Sequence, residues 1–208
     1  MVSILGMGIY LSCEEPKKLP VLGNPEIISS EIDGKIAFDT VPHQVADFNL
    51  LNQDSVWINN DSMAHSIYVA DFFFTSCPTI CPVMKKQLLR VYDQYIDDPK
   101  VKILSHTIDP VYDNVSVLSE YSKSLGVSSD KWMFLTGDQE VIYQLGEKSY
   151  MVTAGSDSDA PGGFIHSGAF LLVDRNRRIR GVYDGTMKEQ VDLLIKDINT
   201  LLNEEFTK

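Results

Sequence analysis

Two cysteines stand four residues apart in the segment Asp71–Pro82 (DFFFTSCPTICP), and their placement suggests chemistry. The run before them, Ser66–Phe74 (SIYVADFFF), is almost continuously apolar, as in a strand buried on both sheet faces. After them, Val83, Met84, Leu88, Leu89, Val91, Tyr92 and Tyr95 recur at helical spacing between Pro82 and Ile96. Cys77 and Cys81 therefore fall where a strand gives way to a helix. The first turn of a helix presents unpaired N–H groups and the positive end of the helix dipole, both of which favour a thiolate over a thiol. Pro78 and Pro82 are tolerated there because no N–H is needed. Residues four apart share one helix face, so the two sulfurs can converge on one ion or on each other. An inert pair of buried structural cysteines is a poor match to this setting.

Spacing narrows the chemistry without closing it. Disulfide oxidoreductases of the thioredoxin type use Cys-x-x-Cys, whereas three residues intervene here. A structural zinc site would need four ligands, commonly from two such pairs, and the chain has one pair. Two thiolates with an added imidazole suit copper, since soft sulfur selects Cu(I) and imidazole also holds Cu(II). Four histidines are available. His43 and His65 lie in polar loops and read as surface residues. His106 ends a second apolar run, Val101–Ile108, and reads as a hydrogen-bonded histidine at the core edge, with a supporting role beside the cysteine turn as the alternative. His166 follows the Gly/Pro-rich stretch Ala160–Ile165 and precedes the apolar strand Gly168–Val173, a position from which it can reach the sulfurs from the opposite side.

The elements that must hold these residues follow from the same patterning. Ile36–Phe38 and Val45–Leu51 read as short strands, the latter turning at Asn52–Asp54 into Val56–Ile58 as a hairpin. The strand at Ser66–Phe74, the helix at Pro82–Ile96 and the strand at Val101–Ile108 come next. Asn114–Leu125 reads as a helix, Trp132–Leu135 as a strand and Glu140–Tyr150 as a helix; Gly168–Asp174 and Ile179–Tyr183 form a hairpin, and Met187–Leu202 is an amphipathic helix. An N-terminal hairpin followed by β-α-β-α-β-α-β-β-α predicts an α/β, thioredoxin-like fold, a central mixed β-sheet flanked by helices.

Composition sets the boundaries. With 208 residues, 44% hydrophobic and 23% charged, the chain suits one soluble domain plus a tail. A net charge of −11 argues against nucleic acid, which demands a basic face. A domain of this size needs no disulfide staple, and three cysteines leave at least one outside any intrachain bridge. Residues 1–13 hold ten apolar residues ending at Ser12-Cys13, too short to span a bilayer. They resemble a secretory signal ending in a lipoprotein lipobox, with Cys13 lipidated, although Tyr10 stands where Leu is usual and no Lys or Arg precedes the run. Residues 14–35, rich in Pro, Gly, Ser and charge, read as a flexible tether, leaving 36–208 as the folded domain.

Taken together, Phe74–Pro82 (FTSCPTICP), Ile108–Asp113 (IDPVYD) and the late His166-Ser167 make the chain resemble the Sco/SenC family of copper-binding cytochrome oxidase assembly proteins from about Val45 to Leu202. The resemblance implies one copper ion held by Cys77, Cys81 and His166. It also implies work on the dinuclear copper site of a respiratory cytochrome c oxidase, either as copper delivery or as thiol maturation. A membrane-anchored, extracytoplasmic (periplasmic) location follows from it, with a lipid on Cys13 in place of a transmembrane helix. Two positions depart from the family: Thr79 and Ile165 stand where many members carry Asp, which makes the pocket less acidic without removing a ligand. Asp109 is expected to orient a neighbouring group or to cap a turn, with neither Asp109 nor Asp113 a ligand. The same three side chains would also serve a thiol-disulfide oxidoreductase, in which Cys77 and Cys81 are a redox-active pair, or a copper or redox sensor. A peroxidase is disfavoured because the peroxiredoxin pattern is missing before Cys77.

Overall fold

The computed structural model describes residues 18–32, 35–157 and 163–207. The proposed signal segment with Cys13 and the stretch 158–162 lie outside the described residues. Strand β5 (Ile67–Phe73) is buried at every position, as an apolar run flanked by sheet neighbours on both sides requires. It pairs in parallel with β6 (Val101–Thr107), which pairs in parallel with β7 (Trp132–Thr136). Parallel neighbours need long crossovers, supplied by α1 (Cys81–Tyr95) and α2 (Val115–Leu125). Asn114 caps α2 by accepting from the N–H groups of Ser116 and Val117, and Gly126 ends it with φ of 69°, a conformation that favours glycine.

Four further strands complete a seven-stranded mixed sheet. On one side lie β3 (Asn49–Asn52) and β4 (Trp57–Asn59), the hairpin expected around Asn52–Asp54. On the other lie β10 (Ala169–Val173), antiparallel to β5, and the edge strand β11 (Ile179–Asp184). The order is β11-β10-β5-β6-β7-β3-β4. The closing helix α4 (Lys188–Phe206) buries Val191, Leu194, Ile198 and Leu201 and packs against β11 and α1. The mixed sheet and flanking helices are the thioredoxin-like arrangement that the sequence predicts.

Three segments differ from the sequence reading. The helix expected at Glu140–Tyr150 is α3 (Gln139–Gln144), which widens into a π-turn at Leu145–Ser149. Inside the expected tether, β1 (Glu26–Ile32) pairs with β2 (Lys35–Val41), so the boundary placed at residue 35 falls within a hairpin. One face of that ribbon carries Ile27, Ile36 and Phe38, all exposed. Just before it the chain lies against the domain: the Leu22 N–H donates to the Ile179 carbonyl at 2.8 Å, and Arg180 donates to the carbonyls of Leu19 and Pro20. Arg180 is itself buried against Asp174 and Glu204, at 3.0 and 2.6 Å. A Pro/Gly/charge composition signals missing helix and missing core, and such a segment can still dock through its backbone carbonyls.

The centre of the sheet holds two buried titratable groups on opposite faces, because neighbouring residues of a strand point opposite ways. Asp71 accepts from the Ser105 hydroxyl, and Ser105 in turn accepts from the Trp132 indole N–H at 2.8 Å. Burial raises the Asp71 carboxyl to about 7. His106, fully buried, stacks on Phe72 and donates from Nδ1 to the Asp71 carbonyl, while among the described residues Nε2 has no hydrogen-bond partner; burial lowers it to about 4. Native Asp71 keeps a proton that the unfolded chain releases near pH 4, so it erodes stability as pH rises towards 7. Native His106 refuses a proton that the unfolded chain takes up below 6.5, so it erodes stability as pH falls towards 4. Between about pH 4 and 6.5 the two effects oppose each other. Relative to wild type, Asp71→Asn is expected to gain about 3 kcal/mol of stability on going from pH 4 to 6.5, and His106→Gln to lose a similar amount. Urea melts at both pH values check this, and slopes of the same sign in the two variants would contradict it.

Candidate metal centre

β5 ends at Phe73, α1 begins at Cys81, and the residues between form a tight turn in which the Cys77 N–H donates to the Phe74 carbonyl at 3.2 Å. Cys81 is the first helical residue and Pro82 the second, where its missing N–H costs no hydrogen bond. Ile80 supplies no side-chain cap, so N–H groups of this turn are left free to face the Cys77 sulfur. Burial pushes the Cys77 thiol up, but hydrogen bonds from the backbone of Thr79 and Cys81, and from their side chains, outweigh it and hold the thiol below its ordinary value. Cys81 is the opposite case. Burial dominates and raises its thiol well above the ordinary range, with the Cys77 neighbour adding to the rise. The two cysteines, both reduced and both buried, are thus chemically unequal.

His166 arrives from the other side of the site. It ends β9 (Phe164–His166), which pairs with β8 (Ala154–Ser156) in a small two-stranded sheet. The sequence expects a loop here; the structure provides a hairpin, and Ala154 pairs directly with His166 to fix its height over the turn. The imidazole Nε2 lies 3.2 Å from the Cys81 sulfur and 3.8 Å from the Cys77 sulfur. Nδ1 is 3.2 Å from the Ser167 carbonyl, which can only accept, so Nδ1 carries the hydrogen and Nε2 presents its lone pair to the sulfurs. Burial lowers the His166 pKa, keeping the ring neutral at pH 7. The edge of one ring meets the face of the other where Phe74 packs against His166, with centroids 5.8 Å apart. The two Sγ atoms and the imidazole nitrogen all lie within 4.8 Å of one another.

The other histidines are elsewhere. His65 is exposed, and His43 is half-buried with Nε2 2.7 Å from the Ser149 carbonyl. His106 belongs to the core packing described above and makes no hydrogen bond to the three converging side chains among the described residues. The supporting role expected of Asp109 falls instead to Asp113. Asp109 accepts from the Tyr112 N–H and caps its own turn. Asp113 is fully buried and accepts from the Thr75 N–H at 2.9 Å, the Thr75 hydroxyl and the Thr107 hydroxyl at 2.6 Å. It fastens the cysteine turn to the end of β6. The sequence carries a weak sign of this, an acidic residue four positions after Asp109, but only the fold brings Thr75 to it. Behind Cys81 a cavity with room for about one water is lined by Asp71, Ser105 and Tyr121. The signal for Asp71 was present, as the lone charge in an otherwise apolar strand.

A thioredoxin-like domain that places two unequal thiols and a neutral imidazole around one point is built for soft-metal or thiol chemistry. A model of the SCO1/SenC family matches residues 39–203, and the chain belongs to that family. A SCO1/SenC family lipoprotein from Bacillus anthracis is 25% identical, with a TM-score of 0.70 over 76% of this chain and 95% of that one. BsSco, described as a member of the Sco family of cytochrome c oxidase assembly proteins with a disulfide switch, is 28% identical with a TM-score of 0.68, covering 76% of this chain and 93% of the other. Arabidopsis thaliana ScoI, solved with copper bound, shares the fold at 24% identity and a TM-score of 0.62, over 74% of this chain and 97% of that one.

The inequality of the thiols gives a direct readout. Under limiting iodoacetamide at pH 7, Cys77 is expected to alkylate at least tenfold faster than Cys81, measured by peptide mass spectrometry. Asp113→Ala frees the turn and is expected to cut that ratio several-fold, with a stability loss of about 1–3 kcal/mol from the unpaired Thr75 and Thr107 groups. Equal alkylation rates in the wild type would overturn the assignment.

Proposed function

We propose that this chain is a Sco-type copper metallochaperone that binds one copper ion through Cys77, Cys81 and His166. Its service is to the assembly of the dinuclear copper site of a respiratory cytochrome c oxidase. The observation that carries this reading is the convergence of two sulfurs and one imidazole nitrogen within 4.8 Å. The donor set fits the ion: thiolates select Cu(I), imidazole also suits Cu(II), and three donors fall short of the four of a structural zinc site. Family membership and the copper-bound Arabidopsis relative support the same reading.

Each side chain has a distinct part. Cys77, whose thiol is held below its ordinary value, makes the first attachment. Cys81 gives up its proton to become the second donor, so uptake of copper is coupled to proton release and strengthens with rising pH. His166 offers Nε2 because Ser167 holds Nδ1–H. Phe74 and the burial of the sulfurs restrict water. Three donors with a half-buried histidine leave an open side from which an acceptor's ligands can enter.

A second reading, a thiol-disulfide oxidoreductase that keeps the acceptor's cysteines reduced, is favoured by the thiol inequality. Cys77 would attack a partner disulfide, and Cys81 would displace the mixed disulfide, so that two thiols here become one disulfide while the partner disulfide becomes two thiols. For localisation, we propose an extracytoplasmic membrane-anchored protein carrying a lipid on Cys13, with residues 1–13 as the signal and lipid segment and a tether reaching the domain. The lipoprotein relative supports this reading. Among the described residues no helix is long and apolar enough to cross a membrane.

Anaerobically reduced protein is expected to take up one copper per chain by metal analysis. Cys77→Ser or Cys81→Ser should abolish tight binding, and His166→Ala should weaken it at least tenfold. Full affinity in the histidine variant would remove His166 from the site. Copper-free disulfide reductase activity that survives His166→Ala, combined with no copper uptake, would favour the oxidoreductase.

A further inference from the structure

A groove of about 450 Å3 opens beside the three donors, lined by Ile80, Ser167, Gly168, Val182, Asp184 and Thr186. Ile80 immediately precedes Cys81, and Ser167 immediately follows His166, so one end of the groove is the rim of the site. Its outer wall is the last part of β11, the edge strand of the sheet.

That edge already accepts an extended segment of the chain itself. Leu22 forms an antiparallel bridge with Ile179, its N–H donating to the Ile179 carbonyl. The segment then belongs to the far end of α4, where the Leu19 N–H donates to Glu204 and Arg180 holds the Leu19 and Pro20 carbonyls. Helix α4 begins at Lys188, next to the groove, and Glu204 lies sixteen residues further on, roughly 24 Å along the helix at 1.5 Å per residue. Successive residues of a strand direct their backbone groups to alternate sides. A bulge between Ile179 and Gly181 shifts that alternation along β11, and the Gly185 N–H donates to the Gly168 carbonyl, so Gly181 and Tyr183 turn their backbone groups to β10 while those of Val182 and Asp184 face outward; among the described residues no strand pairs with that outer side. From Ile179 to Asp184 the edge runs about 16 Å at the usual strand rise, and it ends at the groove.

We infer that the β11 edge at Val182–Asp184 and the adjoining groove seat an extended basic segment of the copper-receiving protein. That segment pairs with β11 through its backbone and brings its own sulfur or imidazole donors up to Cys81 and His166. This rests on the chaperone reading given above. Strand addition of this kind draws affinity from main-chain hydrogen bonds and selectivity from pockets for alternate side chains. Val182, 52% exposed, and Ile80 supply the apolar contact. Asp184, whose carboxylate accepts from the Thr186 N–H and hydroxyl, supplies negative charge, and the net charge of −11 steers a basic segment towards this chain. An unpaired edge is a hazard for self-association unless protected. Leu22 covers one end of this edge, and among the described residues no strand covers the end next to the metal donors.

The test uses the soluble copper-bearing domain of the cytochrome c oxidase subunit from the same organism, in its copper-free form, as probe. Amide hydrogen exchange of the full chain, copper-loaded and copper-free, is expected to show protection of Val182 and Asp184 on adding the probe. Val182→Lys, which replaces the apolar contact with a repelling charge, and Asp184→Asn, which keeps the acceptor for Thr186 but removes the charge, are each expected to weaken probe binding several-fold or more while one copper per chain and the melting temperature are unchanged. No binding of the probe, protection confined to another surface, or unaltered affinity in both variants would overturn the docking inference. Failure of the chaperone reading is distinct: it would appear as absent copper uptake by the isolated protein, while exchange with the copper-free chain still reports on the edge.

Discussion

The turn between β5 and α1 is the constraint on which the rest depends. A helix begins at Cys81 a short turn after the buried strand, and the N–H groups of Thr79 and Cys81 in that junction turn to Cys77. That single arrangement holds the Cys77 thiol below its ordinary value, while burial against the core makes the Cys81 thiol reluctant to ionise. The inequality of two chemically identical side chains is thus a consequence of where a strand stops and a helix starts. Asp113 holds the geometry by satisfying Thr75 at the start of the turn and Thr107 at the end of β6.

Around that turn the sheet core is more polar than its strand sequences suggest. Asp71, Ser105 and Trp132 form a hydrogen-bonded row on the face towards α1, next to the cavity behind Cys81. His106 sits on the opposite face among Phe48, Phe72 and Tyr150. Burial disfavours the charged form of both, raising the acid to about 7, so that it stays protonated below that pH, and lowering the base to about 4, so that it is neutral at pH 7. Polar residues are costly in such a core unless they pair; three of these pair with one another, and the fourth shares one hydrogen bond with the Asp71 carbonyl.

The ends of the domain are handled differently. On the β11 side, Leu19–Leu22 lie along the domain, fixed by the buried Arg180 with Asp174 and Glu204. This gives the chain ahead of the fold a defined point of departure, far along α4 from the metal donors. Beyond it the β1–β2 ribbon pairs with itself and leaves Ile27, Ile36 and Phe38 exposed.

What the sequence determined by itself was local. The apolar run ending at Phe74, the proline-framed cysteines and the helical spacing after them announce a strand-to-helix junction, because strand and helix periodicities are properties of neighbouring residues. The same holds for the β10–β11 hairpin, for α2 with its Asn114 cap, and for the alternation that predicts the thioredoxin-like order. Tertiary structure decided everything that depends on distant residues meeting. His166 is 85 residues from Cys81, and only the β8–β9 hairpin sets its ring 3.2 Å from that sulfur. His106, equally placed at a strand end in the sequence, points instead into the aromatic core, since side-chain direction follows the register of β6 on β5. Asp113 supplanted Asp109 as the support of the site for the same reason. Docking of Leu19–Leu22 was hidden as well, because it uses carbonyls and one buried arginine rather than any pattern of apolar side chains.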